Sequence, residues 1–152
     1  MGVSGSGKTT IGSLLAKELN LKFYDADDFH SQANQKKMSQ GIALTDEDRS
    51  TWLNALQSLI QTEKDSFVLA CSALKESYRN FLKINEQVQF VYLKGSFEQI
   101  EQRLSERKNH YMPVKLLRSQ FEALEEPKEA LIIDISKTPE EIIQVIRKGY
   151  DL

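Results

Sequence analysis

Met1-Gly-Val-Ser-Gly-Ser-Gly-Lys-Thr-Thr10 is the stretch on which the fold turns. Gly2, Gly5 and Gly7 allow a backbone to turn tightly enough to aim successive N–H groups at a polyphosphate. A helix opening near Gly7 adds the partial positive charge of its N-terminus. Lys8 has the reach to sit on β- and γ-phosphates, and the Thr9 hydroxyl suits a magnesium ion. Val3, Ser4, Ser6 and Thr10 complete the run expected against the nucleotide. Downstream, Ile11, Leu14, Leu15 and Leu19 form one apolar face at helical spacing, the context a phosphate-binding loop requires. ATP and Mg2+ are therefore the expected cofactors. One feature departs from the pattern. Such a loop follows a buried strand, yet only Met1-Gly2-Val3 stand ahead of it. Either residues before Met1 are missing, the favoured reading, or the first central strand is truncated to a stub.

Working outward, strand-like and helical segments alternate along the chain. Leu21–Tyr24, Phe67–Cys71, Phe90–Leu93 and Leu131–Ile135 read as short strands without polar alternation, as in strands buried on both faces. Helix starts are marked at Thr45-Asp-Glu-Asp48, at Ser96 with Gln99, and at Thr138-Pro-Glu-Glu141. The pattern predicts an α/β fold of three layers, a parallel sheet flanked by helices, in one domain spanning residues 1–152. Two connections exceed the length of an ordinary parallel crossover, about a dozen residues. Residues 28 to 65 are expected to bind an acceptor, and about 103 to 120 to form a lid. The lid lies within the second connection, residues 94 to 130, and both connections leave strand carboxyl ends, where ligands sit in such sheets.

Composition removes several alternatives. Net charge is −2, with the basic residues scattered, which argues against a nucleic-acid partner. No apolar run approaches the roughly 20 residues needed to span a bilayer, and no secretory segment precedes the first motif, so a cytoplasmic location is expected. The single cysteine, Cys71, lies in an apolar run and reads as a packing residue.

On the acceptor side, Asp25 and Asp27 lie two residues apart after the second strand and share a side in extended chain. Asp25 suits a metal held through water, and Asp27 suits a group that orients an acceptor hydroxyl. The Phe67–Cys71 strand ends without an acidic residue, which strengthens the metal assignment to Asp25. Asp28 reads as the cap of the next helix.

The runs Phe23-Tyr-Asp-Ala-Asp-Asp-Phe-His30, Leu44-Thr-Asp-Glu-Asp-Arg49 with Trp52-Leu53, Cys71-Ser-Ala-Leu-Lys75 with Tyr78-Arg79, and Tyr92-Leu-Lys-Gly95 resemble the gluconokinases. Arg107-Lys-Asn-His110 and Ser119-Gln-Phe-Glu-Ala-Leu124 continue the likeness, which covers residues 1 to about 135. The Asp-x-Asp element also looks like shikimate kinase. The resemblance implies phosphorylation of the 6-hydroxyl of D-gluconate by ATP, and it suggests a homodimer. A substrate with one carboxylate and several hydroxyls needs cations together with hydrogen-bonding groups. His30, Arg49 and Lys75 are the candidates, and His110 joins them from the lid. Each has a plainer alternative: His30 lining a helix, Arg49 paired with Asp46 or Asp48, Lys75 as a surface residue.

Arg103, Arg107, Lys108 and His110 form a cationic cluster. Phosphoryl transfer is mostly positioning and charge stabilisation, so Arg107 is expected on the transferring phosphoryl group, beside Lys8 and Asp27 as the catalytic set. Arg103 is expected against adenine, with Ser136-Lys-Thr-Pro139 bordering it. Both arginines could instead pair with Glu98, Glu101 or Glu106. Other small-molecule kinases of this fold, or a nucleotide-controlled switch, are the rival functions.

Overall fold

The computed structural model describes residues 1–107 and 113–152. Helix α1 (Lys8–Leu19) opens on Gly7 and closes on Asn20, both in left-handed conformation. Strand β1 (Lys22–Asp25) runs into a short 3-10 helix, Ala26–Phe29. Helices α2 (Gln32–Ser39) and α3 (Asp46–Thr62) follow, then β2 (Phe67–Ala70), α4 (Glu76–Leu82) and β3 (Val91–Lys94). The chain ends with α5 (Phe97–Ser105), α6 (Val114–Ala123), β4 (Leu131–Asp134) and α7 (Pro139–Gly149). All three expected helix starts carry capping boxes, Thr45 with Asp48, Ser96 with Gln99 and Thr138 with Glu141. Each box satisfies two N–H groups that the first helical turn leaves unpaired.

The strands form two parallel pairs, β1 with β2 and β3 with β4. What joins the pairs is the chain's first two residues. The Met1 α-amine donates to the Val91 carbonyl, Leu93 N–H donates to the Met1 carbonyl at 3.0 Å, and Gly2 N–H donates to the Ser72 carbonyl at 3.2 Å. Bonding to residues flanking one partner position is the parallel-ladder pattern, so Met1 and Gly2 run as extended chain between β2 and β3. Beyond it the two inner edges stand apart around an apolar cavity of 440 Å³, lined by Ile11, Leu15, Val68, Ala70, Val91 and Leu93 among others. Burial pushes the α-amine down to about 5.

Two buried clusters support the ends of the site. The larger joins Val3, Ile11 and Leu15 to Leu93, Ile100, Leu104, Ile133 and Ile143 and lies beneath the phosphate loop. The smaller gathers Trp52, Leu56, Cys71, Ala73 and Leu82 under the acceptor side. Cys71 is buried and free, and burial lifts its thiol to about 11, as its packing role requires. One expectation fails at β4. Ile132 is 49% exposed: among the described residues β4 pairs with β3 alone, and its alternate residues face outward. Among the described residues no helix is long and apolar enough to cross a membrane.

Candidate active site

The phosphate loop folds as its glycines dictate. A Cβ on Gly2 (φ +146°) would stand 2.8 Å from the Leu93 carbonyl oxygen, and one on Gly5 (φ +83°) would stand 3.0 Å from Leu104. The ammonium of Lys8 folds back on the Val3 carbonyl at 3.0 Å. Burial pushes its pKa down; the carboxylates of Asp27 and Asp25 oppose that shift, and the charge of Arg107 adds to it. These four groups from three parts of the chain thus share one electrostatic neighbourhood, with Arg107 close enough to act on Lys8. Thr9 Oγ1 donates to Asp25 Oδ2 at 2.8 Å. This pair of hard oxygen atoms fits a magnesium ion, which takes few protein ligands and keeps several waters and phosphate oxygens.

Asp25 and Asp27 are brought together by a different geometry from the one expected. The strand ends at Asp25, and Asp27 lies within the 3-10 helix. Asp27 N–H donates to Asp25 Oδ1 at 3.0 Å, so a cap rather than an extended chain sets their spacing. Asp28 does not cap α2; Ser31 does, accepting from Asn34 N–H at 3.1 Å. The small hydroxyl of Ser31 immediately precedes the helix, whereas Asp28 sits inside the preceding turn.

The acceptor candidates converge from two connections. His30 stacks on Trp52 with ring centroids 4.5 Å apart and planes 9° from parallel. Burial, then the nearby charge of Arg49, lower its pKa to about 4, so at neutral pH it is an uncharged hydrogen-bonding group. The Trp52 indole N–H donates to the Ala26 carbonyl at 2.7 Å, fixing the platform under the ring. Arg49 does not pair with Asp46 or Asp48. It donates to the Leu44 carbonyl at 2.7 Å and reaches the Tyr78 hydroxyl at 3.4 Å. Asp48 is held instead by its cap and by Lys37, at 2.9 Å, and falls to about 2, mainly through the Thr45 backbone bond. Lys75, expected at a helix start, is the N-cap residue of α4 and donates to Asp46 Oδ1 at 2.8 Å.

Behind Lys75 the loop is strained and braced. Ala73 holds φ +44° while almost fully buried, a conformation costing roughly 1–3 kcal/mol for a residue with a Cβ. Buried Arg79 offsets this by donating to the carbonyls of Ala73 at 2.8 Å, Leu74 at 3.1 Å and Glu125 at 2.7 Å.

Sequence reasoning missed Tyr78, Asp46 and Gln120. Tyr78 lies one helical turn after Lys75, a spacing that places both on one face and could have flagged it. Its hydroxyl donates to Asp46 in a short bond. Gln120, on α6, clamps the phosphate loop: its Oε1 accepts from Ser4 N–H at 2.8 Å and its Nε2 donates to Ser4 Oγ at 3.1 Å. No local pattern signals that pairing. Arg103 lies in the last turn of α5 and donates to the Ile135 carbonyl. That bond places it beside the 136–139 turn expected at adenine, rather than against the glutamates of its own helix. His110 and Lys108 lie outside the described residues.

Residues 4–148 match the shikimate kinase family. The chain is 43% identical to a probable gluconokinase of Xenopus tropicalis, over 99% of this chain and 91% of that one. It is 52% identical to the thermosensitive gluconokinase of Escherichia coli, over 84% of this chain and 70% of that one. The crystal structure of a gluconokinase from Sinorhizobium meliloti superimposes with a TM-score of 0.90 at 38% identity, covering 98% of this chain and 87% of that one. The chain belongs to the shikimate kinase family of ATP-using phosphotransferases and, among its members, to the gluconokinases.

Proposed function

We infer that this protein transfers the γ-phosphoryl group of ATP to the 6-hydroxyl of D-gluconate, releasing ADP and 6-phospho-D-gluconate. The observation that carries this reading is the position of Asp27. Its carboxylate acts on Lys8 of the phosphate loop, and its carbonyl accepts from His30 N–H at 3.3 Å, where the charge of Arg49 is felt and Arg49 in turn reaches Tyr78. A nucleotide end and a polyhydroxy-acid end thus meet at one residue.

Gly2 to Thr10 and Lys8 hold the phosphates, and Arg103 supports the adenine end. Thr9, with Asp25 through water, would hold Mg2+, which neutralises charge on the β- and γ-phosphates. Arg49 and Lys75 take the acid's carboxylate, while neutral His30 bonds a hydroxyl, and His110 is assigned to the same substrate. Asp27 orients the 6-hydroxyl in line with the γ-phosphorus. A bond forms from that oxygen to phosphorus as the bond to the β–γ bridging oxygen breaks, and the hydroxyl proton passes late to Asp27. Arg107 stabilises the charge on the transferring group. Residues 28 to 65 serve as the acceptor-binding segment and about 103 to 120 as a lid that excludes water, within a single domain of residues 1–152. A homodimer and a cytoplasmic location complete the proposal, on the strength of the likeness to gluconokinases.

The test is acceptor-stimulated ADP release across D-gluconate, shikimate, AMP and other sugar acids. D-gluconate should exceed every other acceptor by a wide margin. Faster turnover of shikimate or AMP, or ATP binding without any stimulated release, would remove the assignment.

A further inference from the structure

We propose that Asp46 is a built-in competitor for the acceptor's carboxylate, filling its place in the ligand-free protein and thereby setting which anions can enter. This rests on the gluconate reading above. One oxygen, Asp46 Oδ1, receives the Lys75 ammonium at 2.8 Å and the Tyr78 hydroxyl. Arg49 reaches that same hydroxyl at 3.4 Å, and the Arg49 and Lys75 cations both lie over the Tyr78 ring, at 5.7 and 5.6 Å from its centroid. A cation and a phenol on one carboxylate oxygen, with a second cation behind the phenol, is a donor set that a sugar acid's carboxylate would use. Asp46 is the group seated there.

Asp46 is also free to leave. The capping box of α3 is closed by Thr45 and Asp48, so the helix start does not depend on the Asp46 side chain. Its side chain is 67% exposed while that of Lys75 is 31% exposed, so a small rotation returns the carboxylate to water. At the first turn of a helix it stays favourable there.

The consequence is selective. A tethered carboxylate competes at high effective concentration, so a free small anion, which has nothing but its charge to offer, does not displace it. A polyhydroxy acid also anchored through its hydroxyls does, and part of its binding energy goes into that displacement. Asp46 is therefore a specificity-determining residue. It lowers affinity for the correct acid and keeps simple anions out.

Steady-state kinetics of Asp46→Asn, with acetate as the probe anion, test this. Release of a solvent-exposed ion pair implies a KM for D-gluconate lowered by up to about fivefold, with the change in KM rather than in kcat. Acetate should then inhibit the variant competitively against D-gluconate at concentrations that leave the parent protein untouched. Glu47→Gln, which removes a neighbouring charge without touching Lys75, should reproduce neither effect, and Asp46→Ser should reproduce both. An unchanged or raised KM in Asp46→Asn, or a variant as indifferent to acetate as its parent, overturns the proposal. If the parent protein itself shows no gluconate-stimulated ADP release, it is the proposed function that has failed.

Discussion

The phosphate end and the acceptor end of this site are built in opposite ways. The phosphate loop is one uninterrupted run whose conformation follows from glycines at fixed positions, and it rests on the larger core cluster. The acceptor end is no single run of sequence. His30, Arg49, Lys75 and Tyr78 come from two connections, meet over the smaller cluster around Trp52 and Leu56, and are held by a buried arginine and a strained alanine. A contiguous site tolerates change in the rest of the chain as long as its own backbone can turn. An assembled site depends on packing several segments away. The first kind therefore states a general chemistry, and the second states which molecule receives it.

The sharpest test of that contrast lies at the phosphate end. Lys8→Met should lower turnover by about three orders of magnitude or more for every acceptor alike, because the lost charge serves the γ-phosphoryl group itself. Single-turnover ADP release measures it; near-normal turnover would remove Lys8 from the chemistry. Asp27, where the two ends meet, comes next. Asp27→Asn should lower kcat by about 10²–10⁴-fold, the usual range for a positioned proton acceptor, with ATP affinity by calorimetry little changed. A third substitution separates the ends. Arg49→Ala should raise the KM for D-gluconate at least about tenfold, as expected for loss of a charge-assisted bond, and leave the KM for ATP within a factor of two. A matching rise in the ATP constant would show that the two ends are not separable.

The smallest effect concerns stability. His30 is lowered from 6.5 to about 4, chiefly by burial. Between those values the unfolded chain binds the proton first, so this contribution to stability is full above pH 6.5 and is lost as pH drops towards 4. Urea midpoints at pH 7, 5.5 and 4.5 should decline in that order, and His30→Gln should flatten the decline. An identical decline in the variant would mean that His30 is not buried as described.

Much of the fold was legible because its signals are local. Ser96 with Gln99 and Thr138-Pro139 state where helices begin through groups three residues apart, and the four strands differ from expectation by a residue or so at their ends. Cys71 was legible from its apolar neighbours. The failures have a common cause. Asp27 reads as extended chain until the carboxylate of Asp25 caps a turn, and Ile132 reads as doubly buried until its strand is found, among the described residues, to pair with β3 alone. Pairing of Arg49 with Asp46 or Asp48 is what sequence proximity suggests. Lys37 and Lys75 arrive from elsewhere and take those carboxylates first.

By itself the sequence determined the phosphate loop, the helix caps and the alternation of strands and helices, since each depends on conformational preferences within a few residues. It also carried, through motifs spread along the chain, the likeness to the gluconokinases. Only the tertiary structure decided that Met1 and Gly2 bridge two strand pairs, that Gln120 clamps Ser4, and that Asp46 lies among Arg49, Lys75 and Tyr78. Those contacts join residues up to 116 positions apart. Their geometry depends on how elements pack, and no local preference encodes it.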